Sequence, residues 1–388
     1  MVQFFPKVVV ESLKKTLGKG TYQLHEPSFI GNEIKYLKNT IKSTYVSSIG
    51  KYITIFEKKI KKITGAKYAI AIVNGTEALH ISLKALDIKK GDEVLVPALT
   101  FVGTVNAITY CGAEPHFIDS EISSLGVNNE KLEEYLKKIV KFVNRKPVNR
   151  YTGKIIRAVM PVHVFGHPCK IEEIVKVAKK YNISVVEDAA EALGSYYKKK
   201  HLGNFGNIGC FSFNGNKIIT TGGGGAIITN NKKLAKTIRH LVTTAKVKHA
   251  WEYEHDKIGY NLRMPNLNAA LGVAQLEKID IFLKAKKKLF EKYKKNINKI
   301  DGLELFEQRI NANSNYWLQT IILSKQNSIY KNKIIKLAHK NFLFLRPAWK
   351  LISSLKPYKN KQKMELHGSQ EIYKRVLNIP SSQKLILK

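Results

Sequence analysis

The stretch CFSFNGNKIITTGGGGAIIT, residues 210–229, holds one lysine between two apolar segments. Residues 210–213 predict a short strand, a polar turn carrying Lys217 follows, and a second strand begins at Ala226 after four consecutive glycines. Glycines let a backbone turn sharply and approach a planar or charged ligand closely. A lysine held in this way can form a Schiff base with a carbonyl group, although a surface lysine in a glycine-rich hairpin is the plainer interpretation.

A second segment, ISVVEDAAEALGS at residues 183–195, adds a carboxylate to this lysine. Residues 183–186 predict a buried strand, and Asp188 lies at its C-terminal end, where ligands bind in open α/β sheets. A carboxylate there can pair with a protonated pyridine nitrogen, so that the cationic ring withdraws electrons from a substrate carbon. Because Lys217 follows about 30 residues later, the two residues together outline a site for pyridoxal phosphate.

Two further strand ends predict the rest of this site. Residues 68–73 are an unbroken apolar strand, and a turn at Gly75 and Thr76 opens the helix after it, whose free N–H groups and positive dipole end suit a phosphate. Residues 93–101 predict the next strand, with Phe101 just past its end, where its ring can stack on a pyridine ring. The alternatives are an ordinary helix cap and a core phenylalanine.

The order of strands and helices predicts an α/β fold, with a mostly parallel sheet covered by helices on both faces. We expect a large domain at residues 1–247 and a small α+β domain at residues 248–388, linked by a long helix that ends near residue 298. Residues 128–143 predict one more helix, and the polar segment 144–154 is interpreted as a solvated excursion. The N-terminal segment predicts a small amphipathic helix packed on the body of the protein.

Composition narrows the class of protein, since 388 residues suffice for two domains with a sizeable core. The net charge of +36 comes mainly from dispersed lysines rather than from the arginines that grip phosphates, so we expect no nucleic-acid partner. Cys111, Cys169 and Cys210 are scattered in apolar segments, which predicts neither disulfides nor a metal site. The apolar start is broken at Pro6 and is too short for a bilayer, so we expect a cytoplasmic protein without a membrane partner.

Three longer motifs resemble the sugar-nucleotide aminotransferases of the DegT/StrS type: VEDAAEALGS, GNFGNIGCFSFNGNKIITTGGGG and GYNLRMPNLNAALGVAQLE. These are pyridoxal phosphate enzymes of the aspartate-aminotransferase fold, fold type I, with a mostly parallel seven-stranded sheet. The resemblance runs from about residue 22 to the end of the chain. HEPSFIGNE, YVSSIGKYI, PVHVFGHPC and LRPAWKL are similar to the UDP-sugar 4-aminotransferases of legionaminic-acid-type pathways. GDP-perosamine synthases are also similar, but they usually carry an acidic residue where Gly223 stands here.

The resemblance implies a role for each candidate residue of the cofactor site. Lys217 would hold pyridoxal phosphate and move protons, Asp188 would pair with the ring nitrogen, and Glu191 would lie near the phenolic oxygen, where many members have glutamine. Ser212 would offer a hydroxyl to the phosphate. Asn261 matches a residue that the family supplies from a neighbouring subunit, which implies a homodimer with shared active sites.

The implied reaction transfers an amino group from glutamate to C4 of a 4-keto-6-deoxy nucleotide sugar. The closest motifs imply a UDP-4-keto-6-deoxy-N-acetylhexosamine and a place in bacterial surface glycan or nonulosonic (legionaminic) acid synthesis. Candidate substrate contacts lie in the matching loops and strand ends: Ser47, His163, Lys246, Trp251 and Arg346. Helix capping by Ser47, a core position for His163 and a solvated loop around Trp251 remain open alternatives.

Two other functions compete with this one. A GDP-perosamine-synthase-like 4-aminotransferase would use the same residues on a GDP-linked sugar, whereas relatives that dehydrate sugars at C3 replace the lysine by histidine, which Lys217 argues against. A basic regulatory or nucleic-acid-binding protein without pyridoxal phosphate belongs to another class. The visible absorption band of a lysine-bound cofactor would distinguish it from the aminotransferases.

Overall fold

A computed structural model describes residues 4–387 of the chain. The helices are α1 Phe4–Leu17, α2 Glu33–Lys42, α3 Lys51–Thr64, α4 Gly75–Ala85, α5 Val102–Tyr110, α6 Asn129–Ile139, α7 Ile171–Lys180, α8 Lys232–Val242, α9 Asn266–Leu276, α10 Ile279–Ile297, α11 Lys331–Lys340 and α12 His367–Arg375. No helix between residues 4 and 387 is long and apolar enough to cross a membrane.

The strands divide between a large sheet and several small ones. They are β1 Tyr68–Ile72, β2 Glu93–Pro97, β3 Glu114–Ile118, β4 Val140–Val143, β5 Lys146–Asn149, β6 Ile156–Val159, β7 Ser184–Asp188, β8 Tyr196–Tyr197, β9 Lys200–His201, β10 Ile208–Ser212, β11 Gly225–Thr229, β12 Leu303–Leu305, β13 Ala312–Asn313, β14 Gln319–Leu323, β15 Arg346–Pro347 and β16 Val376–Ile379.

The central sheet has seven strands in the order β1-β11-β10-β7-β6-β2-β3. From β10 to β3 every neighbouring pair is parallel, and β11 runs antiparallel to both β1 and β10. Its strands are short runs of buried apolar residues, as parallel strands covered on both faces must be. Because β10 and β7 are parallel neighbours, the ends of the two strands that precede Lys217 and Asp188 meet at one edge.

Helices cover both faces of this sheet. On one face α3, α6, α7 and α9 bury apolar side chains against it, and on the other α4, α5 and α8 do so. The predicted α/β fold with a mainly parallel sheet flanked by helices is thereby confirmed. Beyond the carboxyl ends of β2 and β6, Leu99 and Val162 pack in one core with Trp317 and Val376 of the C-terminal part.

The C-terminal part has its own antiparallel sheet, in the order β12-β14-β16-β15. Its core joins the second half of α10, from Leu289 onward, to Val9, Val10 and Leu13 of α1. Beyond residue 247, α9 and the start of α10, including Phe282, pack on the large sheet, and the division at residue 247 stays a prediction. Helix α1, although it begins the described chain, thus packs in the core of the C-terminal sheet.

Three local predictions were wrong in detail. The helix expected to reach residue 143 ends at Ile139, and the segment interpreted as a solvated excursion forms a hairpin of β4 and β5. Asn144 and Arg145 adopt left-handed backbone conformations (φ 49° and 61°), which gives the tight turn that favours a hairpin. The single long helix expected to end near residue 298 is divided into α9 and α10 around Glu277 and Lys278.

Candidate functional site

A cavity of about 310 Å³ lies at the carboxyl ends of the central strands. Its wall comes from the turns after β1, β2, β7 and β10, together with two tryptophans of the C-terminal part. Among the residues that line it are Asn74, Gly75, Thr76, Thr100, Phe101, Thr104, Asp188, Glu191, Ser212, Asn214, Asn216, Lys217, Gly223, Gly224, Trp317 and Trp349. The fold thus brings together residues that are up to 275 positions apart in sequence, from Asn74 to Trp349.

Lys217 stands in the turn between β10 and β11, and its amine is held by two different side chains. The Nζ atom lies 3.2 Å from Glu191 Oε1 and 4.0 Å from the centroid of the Trp317 ring. The indole N–H of Trp317 also donates to the backbone carbonyl of Asn216, at 2.6 Å. A carboxylate and an aromatic face both attract an ammonium group, so the amine has a defined position in the cavity.

Asp188 ends β7 and is almost completely buried beside the cavity. Its Oδ2 accepts a hydrogen bond from the Thr104 hydroxyl at 2.7 Å, and its Oδ1 accepts one from the Ala190 N–H at 3.1 Å. Burial raises the pKa of this carboxyl above its ordinary value, and these hydrogen bonds and the charge of Lys217 oppose the rise. A cationic partner in the cavity would therefore be strongly favoured, since it would relieve the cost of burying the carboxylate.

Glu191 is the second buried carboxyl group of the site. Its Oε2 accepts the backbone N–H of Phe165 at 2.8 Å, while its other oxygen contacts Lys217. Burial raises the pKa of Glu191, and the Lys217 charge acts in the opposite direction. Phe165 adopts a left-handed backbone conformation with φ 56°, which is strained for a bulky residue and directs its N–H at the carboxylate.

The turn after β1 is built as an anion site. Gly75 and Thr76 form the first turn of α4, and the side chain of Asn74 accepts the N–H of Glu77 at 2.8 Å, which caps the helix. A Cβ atom on Gly75 would lie 2.7 Å from the Cβ of Ser212. Only glycine therefore allows the start of α4 and the end of β10 to approach so closely. The helix N-terminus and the Ser212 hydroxyl consequently face the same part of the cavity.

These residues fit pyridoxal phosphate. A lysine amine is available for its carbonyl group, a buried carboxyl group for its ring nitrogen, and a helix N-terminus with a hydroxyl for its phosphate. Phe101 is 57% exposed and lines the cavity next to Thr104, so its ring is free to stack on a planar ligand. The predicted residues Gly75, Thr76, Phe101, Asp188, Glu191, Ser212 and Lys217 all line this one cavity.

His163 lies beside Asp188 in the sheet but does not face the cavity. Its backbone N–H donates to the Asp188 carbonyl at 3.1 Å, while its fully buried ring contacts Glu187 Oε2 at 3.0 Å and Cys169 Sγ at 3.5 Å. Burial lowers the pKa of His163, but Cys169 and Glu187 outweigh this and raise it to about 10. Since Glu187 and Asp188 are consecutive strand residues, their side chains point to opposite faces, and His163 follows Glu187.

Five other candidate residues are exposed and lie outside the cavity lining: Ser47, Lys246, Trp251, Asn261 and Arg346. The Lys246 amine lies 3.7 Å from the centroid of the Tyr253 ring, and Trp251 is 77% exposed. Asn261 forms an isolated bridge with Thr243 at the surface. Within one copy of the chain these residues do not meet Lys217, and their roles stay predictions.

Sequence reasoning missed four residues that shape the site. Thr104 holds Asp188, Phe165 holds Glu191, and Trp317 and Trp349 form a wall of the cavity. The chain has only 3 tryptophans, and this scarcity was a usable signal for the last two. The left-handed conformation of Phe165 had no such signal, because neither its residue type nor its neighbours favour it.

Comparisons with known proteins agree with this geometry. Residues 27–388 match the sequence model of the DegT/DnrJ/EryC1/StrS aminotransferase family. A GDP-perosamine synthase of Escherichia coli O157:H7 is 40% identical over 299 residues, 77% of each chain. The putative pyridoxal phosphate-dependent aminotransferase EpsN of Bacillus subtilis is 35% identical over 327 residues, 84% of this chain and 81% of its own.

A solved structure has the same fold at much lower sequence identity. The putative sugar aminotransferase Spr1654 of Streptococcus pneumoniae, in its PMP form, superposes with a TM-score of 0.84 at 22% identity, over 94% of both chains. The match of the family along nearly the whole chain, the curated relatives and the fold all lead to the same assignment. The chain belongs to the DegT/DnrJ/EryC1/StrS aminotransferase family.

Proposed function

We propose that the chain is a pyridoxal phosphate-dependent aminotransferase that moves the amino group of glutamate to C4 of a 4-keto-6-deoxy nucleotide sugar. The observation that carries the proposal is the Lys217 amine, which lies 3.2 Å from Glu191 Oε1 in a cavity that Asp188 also lines. An amine and two buried carboxyl groups at the ends of parallel strands suit carbonyl chemistry better than any other reaction of these residues. The product would serve bacterial surface glycan or nonulosonic acid synthesis.

When bound, pyridoxal phosphate supplies an electron-accepting ring that stabilises negative charge on the substrate carbon. Asp188 would hold the ring nitrogen and keep it protonated, because a carboxylate favours a neighbouring cation. Gly75, Thr76 and Ser212 would hold the phosphate with N–H groups and a hydroxyl. Phe101 would offer its exposed ring for stacking on the cofactor.

Lys217 then moves the proton during the reaction. Its amine would take the proton from the substrate carbon as general base and return a proton as general acid. Glu191 holds the amine in place for this transfer through its Oε1, at 3.2 Å. Because the Phe165 N–H fixes the other oxygen of Glu191, the carboxylate keeps one orientation throughout.

The nucleotide has two candidates. The motifs YVSSIGKYI and PVHVFGHPC and the absence of an acidic residue at Gly223 support a UDP-linked N-acetylhexosamine. Against this, three curated relatives are GDP-perosamine synthases, at 40%, 35% and 34% identity, which supports a GDP-linked hexose. Both candidate substrates carry a keto group at C4 of the sugar. We therefore propose amination at C4 for either nucleotide.

We further propose a homodimer with shared active sites. The segment of α2 and the loop after it exposes large apolar side chains, with Ile34 at 83%, Ile41 at 63% and Ile49 at 63%. Trp251 and Ile258, in the loop that leads to Asn261, are also exposed, at 77% and 88%. Apolar surface of this extent favours a covering partner, and a second copy would bring the exposed candidate residues to the first copy's cavity.

A cytoplasmic location remains part of the proposal. Cys111, Cys169 and Cys210 are buried and unpaired within the described part of the chain, which suits a reducing compartment. Glutamate and nucleotide sugars are cytoplasmic metabolites, so the proposed reaction places the protein with its substrates.

The decisive experiment supplies purified protein with pyridoxal phosphate, glutamate and one of two substrates. These are UDP-4-keto-6-deoxy-N-acetylglucosamine and GDP-4-keto-6-deoxymannose, and the product is identified by mass and by its 4-amino group. We expect an amino sugar and an equal amount of 2-oxoglutarate with one of the two, and none with Lys217→Ala. A protein without a visible cofactor band and without product would instead support the basic regulatory or nucleic-acid-binding alternative.

A further inference from the structure

We propose that His163 is a positioning residue for the reacting amine. From outside the cavity lining it holds the turn that fixes Glu191, and Glu191 holds Lys217. This inference rests on the proposed function, and it gives a role to a candidate residue that does not touch the cavity. The role passes through three contacts: the His163 ring with Glu187, the turn with Glu191, and the Glu191 carboxylate with the amine.

Glu187 gives the His163 ring a rigid partner. Its fully buried carboxylate accepts three backbone N–H groups from the loop between β9 and β10: Gly203 at 2.8 Å, Phe205 at 2.6 Å and Gly206 at 2.7 Å. A fourth contact comes from His163 Nε2, 3.0 Å from Glu187 Oε2. Hydrogen bonds to a carboxylate are among the strong ones, so this carboxylate keeps its place and the ring against it is held as well.

Cys169 encloses the other side of the same ring. His163 Nδ1 lies 3.4 Å from the backbone nitrogen of Cys169 and 3.5 Å from its Sγ. Cys169 is itself closely packed, because a Cβ atom on Gly126 would lie 2.3 Å from its Cβ. Both ring nitrogens of His163 therefore have fixed neighbours, and the ring has one position in the core.

The turn at residues 163–166 carries this position to Glu191. The Gly166 N–H donates to the His163 carbonyl at 3.2 Å, and the Phe165 N–H donates to Glu191 Oε2 at 2.8 Å. Phe165 has φ 56°, a conformation that a bulky residue adopts only where its surroundings impose it. The fixed ring at the start of the turn supplies such a constraint. Without it Phe165 would relax, and Glu191 would lose a donor.

The loss of that donor would reach the amine through Glu191. Its two oxygens have different partners, since Oε1 lies 3.2 Å from Lys217 Nζ and Oε2 accepts the Phe165 N–H. Burial raises the pKa of Glu191, and the charge of Lys217 and the Phe165 N–H oppose the rise. A Glu191 without this N–H would be neutral more often and free to turn, so it would hold the amine less well.

A buried histidine next to a glutamate can also be purely structural, and the chain contains such a pair. His116 Nδ1 lies 2.9 Å from Glu93 Oε2, and its Nε2 lies 2.9 Å from the Tyr135 hydroxyl. The pair is fully buried in the same sheet, but Glu93 is the first residue of β2, whereas the cavity lies at the carboxyl ends. His116 is therefore the matched control for His163.

Leucine variants of the two histidines separate positioning from stability. Each leaves a buried carboxylate without one of its contacts, so both should unfold at lower urea concentration than wild type. His163→Leu should lower kcat about tenfold to a hundredfold, because small displacements of a reacting group cost this much, with the KM for glutamate within about threefold. His116→Leu should keep kcat within about twofold of wild type.

Two amide variants test which side of the ring matters. His163→Gln can reach Glu187 with its amide and should recover most of the lost kcat. His163→Asn ends near the position of Nδ1, cannot reach Glu187, and should stay as slow as His163→Leu. If His163→Leu does not fold, His163→Asn takes its place in every comparison.

The bound cofactor gives a signal that does not depend on turnover. Its visible circular dichroism reports a fixed orientation in asymmetric surroundings, and His163→Leu should lose most of it, whereas His116→Leu should keep it. In a Glu191→Ala background, His163→Leu should change neither this signal nor kcat any further, because residues that act in series are not additive.

The outcomes separate the inference from the proposed function. Unchanged kcat and dichroism in His163→Leu, an equal loss in His116→Leu, no recovery in His163→Gln, or additive losses with Glu191→Ala would overturn the positioning role and leave the aminotransferase standing. A wild-type protein that shows no visible cofactor band and aminates neither keto sugar would overturn the proposed function, and the inference with it.

Discussion

The amine of Lys217 is positioned by Glu191, which follows β7, and by Trp317, which precedes β14. Reduction with borohydride in the presence of pyridoxal phosphate should attach the cofactor covalently to Lys217, because this amine lies in the cavity and no other lysine among residues 4–387 lines it. Peptide mapping by mass spectrometry checks this. Lys217→Ala should give unlabelled protein, and a label on a different lysine would refute the assignment.

Asp188 allows a prediction that separates catalysis from stability. Asp188→Asn keeps an acceptor for Thr104 but cannot hold a pyridinium proton. We expect kcat to fall by about 100- to 1000-fold, which corresponds to a pKa of the pyridine nitrogen lowered by about two to three units. Steady-state kinetics with saturating cofactor measure the loss. Turnover within about threefold of wild type would remove Asp188 from this role.

Asp188→Asn should lower kcat but raise the stability of the cofactor-free protein, because the pKa of Asp188 is raised in the folded state. A carboxyl group whose folded pKa lies above its unfolded value destabilises the folded state at high pH, and this cost disappears as the pH falls through the folded pKa. Cofactor-free Asp188→Asn should therefore resist urea better than wild type at neutral pH, and the difference should vanish as the pH falls toward the ordinary aspartate range.

At the scale of elements, the close approach of α4 and β10 determines the phosphate site. In Gly75→Ala the new Cβ would lie 2.7 Å from the Cβ of Ser212, so the helix N-terminus must move away from the strand. The Kd for pyridoxal phosphate, measured by absorbance titration, should rise about tenfold or more, the equivalent of about 1.4 kcal/mol. Gly215→Ala is the matched control, because a Cβ there meets no atom within 4 Å and should leave the affinity within about twofold.

A second contact between elements joins α12 to the large sheet. Asp119, at the end of β3, accepts the N–H groups of Gly368 and Ser369 at 3.0 and 2.8 Å and contacts the Lys131 amine at 3.0 Å. Asp119→Ala should lower the free energy of unfolding by about 2–4 kcal/mol in urea, because buried donors lose their acceptor. Asp301→Ala, at an exposed position, should change it by less than about 0.5 kcal/mol.

The pH dependence of this contact has a definite sign. Burial raises the pKa of Asp119, but the N–H groups of Ser369 and Gly368 and the Lys131 amine outweigh this and hold it below its usual value. Its stabilisation is therefore complete above the unfolded pKa of about 3.9 and is lost as the pH falls through the folded pKa. The difference between wild type and Asp119→Ala should shrink below about pH 4, and a difference that grows there would contradict this account.

At the scale of the whole molecule, the exposed candidate residues predict how two copies cooperate. If Asn261 completes the site of the other subunit, Lys217→Ala and Asn261→Ala are each inactive, and subunit exchange restores one intact site in every mixed dimer. About a quarter of normal activity per site should return at equimolar statistical exchange, because half of the dimers are mixed. Native mass spectrometry verifies the exchange. No recovery in confirmed heterodimers would place Asn261 in its own chain's site or in none.

Local sequence was sufficient for the central part of the site. The apolar strands, Asp188 at the end of one strand, and the turn at Gly75 and Thr76 each follow from a short segment, because strand ends and helix starts are determined by neighbouring residues. Parallel strands that are neighbours end at the same edge of a sheet. The sequence alone therefore predicts that Lys217 and Asp188 lie at one edge of the central sheet.

Only the tertiary structure decided which residues surround these groups. Trp317 contacts Lys217, and Trp349 lines the same cavity, because residues of the small sheet share a core with strand ends of the large sheet, a contact that no local pattern encodes. His163 turns to Glu187 because neighbouring strand residues face opposite ways, and a single register shift would have reversed it. The left-handed conformation of Phe165 likewise depends on contacts with Glu191, Leu318 and Trp349 that form only when both sheets are in place.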